Sequence, residues 1–178
     1  VKPRYLTMQA VVDDLAKTKG QTMELKQGET LAREIIEQLA PFCDRIEVAG
    51  SIRRKRPFVH DIDLLLIPAN QGKLLVALQA IGEKRRGGGK IEEREYKGAQ
   101  VDLYFATPET WATLLLIRTG SKAHNIKLTS LAKARGWHLY ANGNGLVNKN
   151  GWRVAGDTEE SFFTELGLRY AQPWERDP

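Results

Sequence analysis

Apolar residues recur at helical spacing between Gly28 and Phe42, where Leu31, Ile35, Ile36 and Leu39 form one stripe that Pro41 ends. A shorter stripe, Leu6, Val11, Val12 and Leu15, precedes it and stops at a polar run over 17–22. The period then shortens: "RIEVAG" and "IDLLLIP" read as strands, separated by a glycine turn at Gly50–Ser51 and closed by Pro68. Residues 72–82 return to an amphipathic helix. Residues 83–98 and 99–107 read as antiparallel strands, with turns at Gly87–Gly89 and Lys97–Gly98. Pro108 stands at a plausible first helical position for a helix ending at Gly120. Ser121 is an expected N-cap for a second helix, with Ile126 and Leu131 on its apolar stripe and Gly136 as its stop. Two short strands within 137–151, a helix near 157–166 and an extended tail complete the chain. The order predicts an α+β fold in three parts: a helical segment (1–27), a mixed-sheet lobe with flanking helices (28–107) and a mainly helical lobe (108–178).

Composition adds little to this picture but excludes some classes. With 42% hydrophobic and 28% charged residues the chain is an ordinary globular domain rather than a disordered one. No apolar run approaches the roughly 20 residues that span a bilayer, and the first residues do not resemble a secretion signal. Cys43 is the single cysteine, so no disulfide can close within these residues. It follows Pro41-Phe42 at an expected helix end and reads as a packing residue. A reducing, intracellular compartment is expected, cytoplasmic in a prokaryotic or viral setting. The four tryptophans read as core or lobe packing, and His124 and His138, with no second ligand at metal spacing, as structural. A net charge of +5 favours anionic partners, nucleic acid first, and no membrane.

The candidate chemistry lies in "AGSIRRKRPFVHDIDLLLIP". In a strand, residues i and i+2 share a face about 6.5–7 Å apart, so Asp61 and Asp63 project together while Ile62 and Leu64 face the other way. Paired carboxylates repel unless protonated or bridged by cations, and such oxygen-rich pairs suit Mg²⁺. Asp102, in the apolar strand "AQVDLYF", could join them across an antiparallel or mixed sheet. On these acids alone, solvated strand ends paired to nearby arginines explain the pattern equally well. The preceding turn shifts the balance. Gly50 allows backbone N–H groups to converge as in phosphate-cradling loops, Ser51 adds a hydroxyl, and the arginines offer forked charge. A nucleoside triphosphate fits between the two halves.

"GSIRR…DID…VDL" resembles the nucleotidyltransferase signature of the polymerase beta superfamily, and "RTGSKAHNIKLTSLAKARGWHLYANG" with "EESFFTELGLRYAQPWERDP" narrows the resemblance to family X DNA polymerases over residues 28–178. It implies a nucleotidyltransferase palm with a mixed sheet and flanking helices, followed by a small, mainly helical thumb. Position by position, it implies that Asp61, Asp63 and Asp102 hold two Mg²⁺ ions, with Mn²⁺ able to substitute, and that Asp102 lies nearest the primer hydroxyl. Gly50, Ser51 and Arg54 would hold the triphosphate, Thr119 and Gly120 flank its sugar, and Asn125 reach the base. Arg118, Lys122 and Lys127 would contact DNA, while "RRGGGK" (85–90) reads equally as a plain turn or a DNA-touching tip.

Two departures stand out. Ile117-Arg118 replaces the aromatic pair common before Thr-Gly, which predicts weak exclusion of ribonucleotides, and His60 stands where glycine usually precedes the first acid. No helix-hairpin-helix glycine motif is present, so the resemblance implies a reduced palm-plus-thumb polymerase without lyase activity. The expected function is template-directed extension of a primer 3′ end in short-gap repair. Its partners would be gapped or primer-template DNA, a nucleoside triphosphate, and a DNA ligase or end-binding protein. The rival reading is a template-independent nucleotidyltransferase acting on RNA, protein or a small molecule. A non-enzymatic DNA-end binding module would not need all three acids.

Overall fold

A computed structural model describes residues 21–177; the helix expected at Leu6–Leu15 lies outside them. The long helix α1 (Leu25–Leu39) starts three residues earlier than expected, after a two-residue strand β1 (Met23–Glu24). Leu31, Ala32, Ile35 and Leu39 bury the stripe read from sequence. Pro41 cannot donate into a continuing helix, and residues Ala40–Phe42 tighten into a 3-10 turn. Strand β2 (Cys43–Val48) follows, so Cys43 begins a strand rather than ending a helix. Its thiol is pushed up to about 11, first by burial and then by Asp44, which leaves it unreactive at neutral pH. The expected Gly50–Ser51 turn is one helical turn, α2 (Gly50–Arg53). The short strand β3 (Phe58–Val59) pairs back onto β1.

Strand β4 (Asp61–Pro68) is an interior strand of a five-stranded sheet, with order β2-β4-β7-β6-β5 once β5 (Lys84–Gly88), β6 (Ile91–Tyr96) and β7 (Ala99–Phe105) are added. Residues 83–98 thus form a hairpin of two strands rather than one. The sheet is mixed: β4 and β7 are parallel, and the other neighbours antiparallel. Helix α3 (Gln71–Leu78), capped by the Asn70 side chain accepting from the Lys73 N–H, carries the chain from β4 to the edge strand β5, from which β6 and β7 follow as antiparallel neighbours.

Period two decides what each face of the sheet does. Ile62, Leu64 and Leu66 of β4, with Val101 and Leu103 of β7, pack under α1 and α3. Leu65 and Ile67 turn to the opposite face and pack with Trp111, Leu114 and Leu115 of α4 (Trp111–Thr119). Asp61 and Asp63 share that second face but lie beyond the apolar cover. One interior polar pair escaped the sequence reading: Glu92 and Arg94 are buried on β6, where Arg94 donates to the carbonyls of Leu78 and Gly82 behind α3.

Helix α4 begins at Trp111, not Pro108. Residues 107–110 form a turn in which the Thr107 N–H donates to Thr110 Oγ1, and the Leu114 N–H closes onto the Thr110 carbonyl. Leu116 on the far side of α4 enters a second core with Leu128, Ala132, Leu139, Leu146, Phe162 and Phe163. These come from α5 (Lys122–Ala134), a three-stranded sheet of β8 (His138–Tyr140), β9 (Gly145–Val147) and β10 (Arg153–Ala155), and α6 (Glu159–Glu165). The third strand, β10, was not expected. Ser121 caps α5 as expected, but the buried stripe runs through Leu128 and Ala132, leaving Ile126 55% exposed. Of the tryptophans, Trp111 is core, whereas Trp152 and Trp174 are exposed. No described helix is long and apolar enough to cross a membrane.

Candidate nucleotidyl-transfer site

The parallel pairing of β4 with β7 sets Asp63 directly beside Asp102, with Asp61 two residues up the same face. Each carboxyl is held above its ordinary range. For Asp63, burial and then the charges of Asp61 and Asp102 push it up to about 7. Asp61 is raised by burial, against the pull of His60 and Arg54, and Asp102 chiefly by burial, against a hydrogen bond from Gln100 Nε2 at 3.1 Å. The cluster therefore carries acidity for which the protein supplies too few cations. Among the described residues only Tyr104, whose hydroxyl donates to Asp63 Oδ1 at 3.1 Å, ties Asp63 down by a side-chain bond.

Gly50 meets these acids from α2. It has a positive φ of 57°, and a Cβ added there would stand 1.8 Å from Asp63 Oδ2, so only glycine permits the approach. With Ser51 and Arg54 it forms one wall of a cleft of about 590 Å³. Asp61 and Asp63 form its floor, and Ile117 to Lys122, Asn125, Ile126 and Thr129 the facing wall. All six residues expected to bind nucleotide (Gly50, Ser51, Arg54, Thr119, Gly120 and Asn125) line this one cleft with Asp61 and Asp63. Asp102 sits one strand further out. His60 is exposed at the rim and bonds Thr22 Oγ1 through Nδ1 at 3.0 Å.

Three buried polar atoms of the same cleft, Ser51 Oγ, Asn125 Oδ1 and Arg118 Nε, have no hydrogen-bond partner. Each such atom costs about 1–3 kcal/mol unless a ligand or water satisfies it. Asn125 is oriented by its own Nδ2, which donates to the Ile117 carbonyl at 2.8 Å. Of the residues expected on DNA, Lys122 lines the cleft. Arg118 stacks its guanidinium 4.3 Å from the centre of the Tyr104 ring, which puts it against the sheet. Lys127 lies on the other side of α5, beside His124 and Phe163.

Among the described residues no group of three His, Cys, Asp or Glu side chains, Asp61, Asp63 and Asp102 included, is placed to hold a metal ion by itself. Mg²⁺ rarely needs one: it is commonly bound by one or two carboxylates completed by substrate phosphates. Surplus acidity on the floor of the cleft and unpartnered polar atoms on its walls fit metal ions that arrive with a triphosphate.

The sequence reading missed the contacts that hold the two walls together. Arg53 donates to Thr119 Oγ1 at 2.8 Å and to both oxygens of Glu159 at 3.0 and 2.7 Å; Arg176 donates to the same carboxylate at 2.8 Å. Burial opposes the charge on Glu159, but these two arginines win and hold its carboxyl below the usual range. Arg54 Nε donates to both oxygens of Asp177 at 3.1 Å, and its Nη1 to the Thr119 carbonyl. The abundance of arginines over 53–56 was the available signal, though their partners lie more than 60 residues away.

The family model described as DNA polymerase beta thumb matches residues 114–177. A DNA polymerase/3′-5′ exonuclease PolX of Bacillus subtilis (strain 168) is 34% identical over 152 residues, which is 80% of this chain; the chain spans 26% of that relative's length. Among solved structures, Leishmania infantum polymerase beta in a ternary P/T complex superposes with a TM-score of 0.74, covering 99% of this chain and 84% of that one at 20% identity, a likeness of fold. Over most of its length the chain is thus similar in sequence to a family X DNA polymerase, and over residues 114–177 it matches the polymerase beta thumb.

Proposed function

We propose that this chain is the nucleotide-adding core of a DNA-directed DNA polymerase. It extends a primer 3′ end opposite a template and fills short gaps in repair, after which a ligase seals the nick. The observation that carries this reading is the cleft itself, where repelling acids face unpartnered Ser51, Asn125 and Arg118 across a gap wide enough for a nucleotide.

Asp61, Asp63 and Asp102 would hold two Mg²⁺ ions, or Mn²⁺ in their place. When bound, these ions neutralise the triphosphate and lower the pKa of the primer hydroxyl. The remaining work falls to the chain. Gly50 brings the start of α2 against the acids, and Ser51 Oγ and Arg54 donate to phosphate oxygens. Thr119 and Gly120 flank the sugar, and Asn125 Oδ1 accepts from the base. Asp102, nearest the open sheet surface, takes the primer hydroxyl proton or ligates an ion. Arg118, Lys122 and Lys127 meet the DNA backbone. Ile117 and Arg118 offer no aromatic wall to a 2′-hydroxyl, so the site accepts ribonucleotides more readily than an aromatic pair would.

The test is primer extension on gapped, nicked and open templates with Mg²⁺ and all four nucleotides. Extension that follows the template base, and disappears in the Asp61→Ala/Asp63→Ala protein, is expected. Nucleotide choice that ignores the template would favour the template-independent reading, and undiminished extension by the double variant would remove the acids from the mechanism. Comparing dGTP with GTP opposite template C tests sugar choice, and a strong deoxy preference would end that part. Independently of turnover, Mg²⁺ should raise the melting temperature of the wild-type chain and not that of Asp63→Asn.

A further inference from the structure

Arg54 is the one arginine of the 53–56 run whose guanidinium lines the cleft, and it does not stand free there. Its Nε donates to both carboxylate oxygens of Asp177, 123 residues downstream, and its Nη1 to the Thr119 carbonyl. Both side chains of the Arg54–Asp177 pair are only 15% exposed, so water screens it incompletely. Among the described residues Nη2 of Arg54 donates to no protein atom. The carboxylate is itself delivered by an anchored segment. Ser121 Oγ donates to the Arg176 carbonyl at 2.9 Å, and Arg176 is buried, donating to Glu159, to the Ala171 carbonyl and to the Tyr170 hydroxyl.

An acid beside a phosphate-binding arginine can play one of two opposite parts. It can occupy the guanidinium as a stand-in anion that the triphosphate has to displace, or it can fix the plane of the guanidinium and leave a free edge for the ligand. Two observations separate these. The carboxylate takes the Nε edge and the Thr119 carbonyl takes Nη1, so an Nη2 hydrogen is left without a protein acceptor among the described residues. The carboxylate is also shared, since Arg56 Nε approaches Asp177 at 3.6 Å. Two guanidiniums against one carboxylate leave a surplus positive charge, where a blocking anion would have neutralised its site.

We infer that Asp177 is a positioning residue for the triphosphate: it acts through Arg54, holding the guanidinium flat against the cleft wall with Nη2 presented to the phosphates. The inference rests on the assignment of Arg54 to the triphosphate. A side chain held from two sides loses less freedom when the ligand arrives, and that saving appears in nucleotide binding rather than in the chemical step.

The experiment compares the wild-type chain with Asp177→Asn, Asp177→Glu and Arg54→Gln, and with the double variant Arg54→Gln/Asp177→Asn. Single-nucleotide gap filling gives kcat and KM, and titration with dNTP and Ca²⁺ on a dideoxy-terminated primer gives binding without turnover. Asp177→Asn should raise KM and the dissociation constant about tenfold, the size of one weakened charge-assisted hydrogen bond, with kcat within about twofold. Asp177→Glu should recover part of the loss, and Asp177→Asn should add nothing once Arg54 is Gln. A fall in KM in Asp177→Asn would show the tail to be a competing anion and overturn the inference, as would an unchanged KM beside a damaged Arg54→Gln. If Arg54→Gln itself binds dNTP normally, the assignment of Arg54 to triphosphate fails first. A lowered melting temperature with kcat reduced and KM unchanged would mark Asp177 as merely structural, which also overturns it.

Discussion

At the scale of single residues, Gly50 carries the sharpest constraint, because its φ is 57° and an added Cβ would stand only 1.8 Å from Asp63 Oδ2. Gly50→Ala should fold with a modestly lower melting temperature and lose roughly a hundredfold in extension rate, the penalty typical of acids displaced by about 1 Å. His124 offers a different handle. Its ring packs 5.6 Å from that of Phe163, its Nδ1 has no partner, and burial, Arg176 and Lys127 push its pKa down to about 4. The unfolded chain, with histidine near 6.5, binds the proton first. Stability from this residue is therefore complete above about pH 6.5 and declines as pH falls toward 4. His124→Phe should flatten the decline of melting temperature in that window relative to wild type. The raised carboxyls act in the opposite sense, but both proteins share them. Legibility at this scale was uneven. The acids and Gly50 could be read because their types are chemically restrictive at short spacing. The hydroxyl of Tyr104 on Asp63 could not, since a tyrosine in an apolar strand looks like packing.

At the scale of elements, α2 is joined to α4 and α6 through one carboxylate, with Arg53 bridging Thr119 and Glu159 while Arg176 closes from the tail. Breaking a buried ion pair from one side leaves charge unpaired, so Glu159→Gln should cost about 3–5 kcal/mol in a urea melt. The same bond has a pH signature. The Glu159 carboxyl is lower in the fold than in the unfolded chain, so its contribution is present above about pH 4.5 and fades as pH falls through the lowered value. Periodicity made most of these elements readable: α1, β4 and β7 follow from their apolar spacing alone. It failed where length was short or composition mixed. The strand β10 has three residues, and Pro108 stands before a turn that Thr110 closes instead of a helix. The parallel partnership of β4 and β7 was left open between an antiparallel and a mixed sheet, because register across a 30-residue crossover is set by packing under α1 and α3.

At the scale of the molecule, the formal charge of +5 sits on a chain whose candidate site is acidic, so the proposed attraction for DNA would fall to basic residues of α4 and α5. If Arg118, Lys122 and Lys127 each neutralise one phosphate, affinity for primer-template should fall about fortyfold between 50 and 200 mM salt. Lys122→Ala should lower the slope of that dependence by about one without altering template-base preference; a slope unchanged from wild type would remove Lys122 from the DNA. The sheet that carries the acids ends in β5, a fully exposed edge strand bearing Lys84, Arg85 and Arg86, whose charge discourages pairing with another chain. Its tip is two strands removed from Asp102, and a side chain at Gly88 would meet nothing within 4 Å. Cys43, the native thiol, is half-buried and its pKa is raised, so little of it is thiolate at neutral pH. A cysteine placed at Gly88 is therefore a selective attachment point, where a dye or a tether to a sliding partner can be fixed without reaching the chemistry.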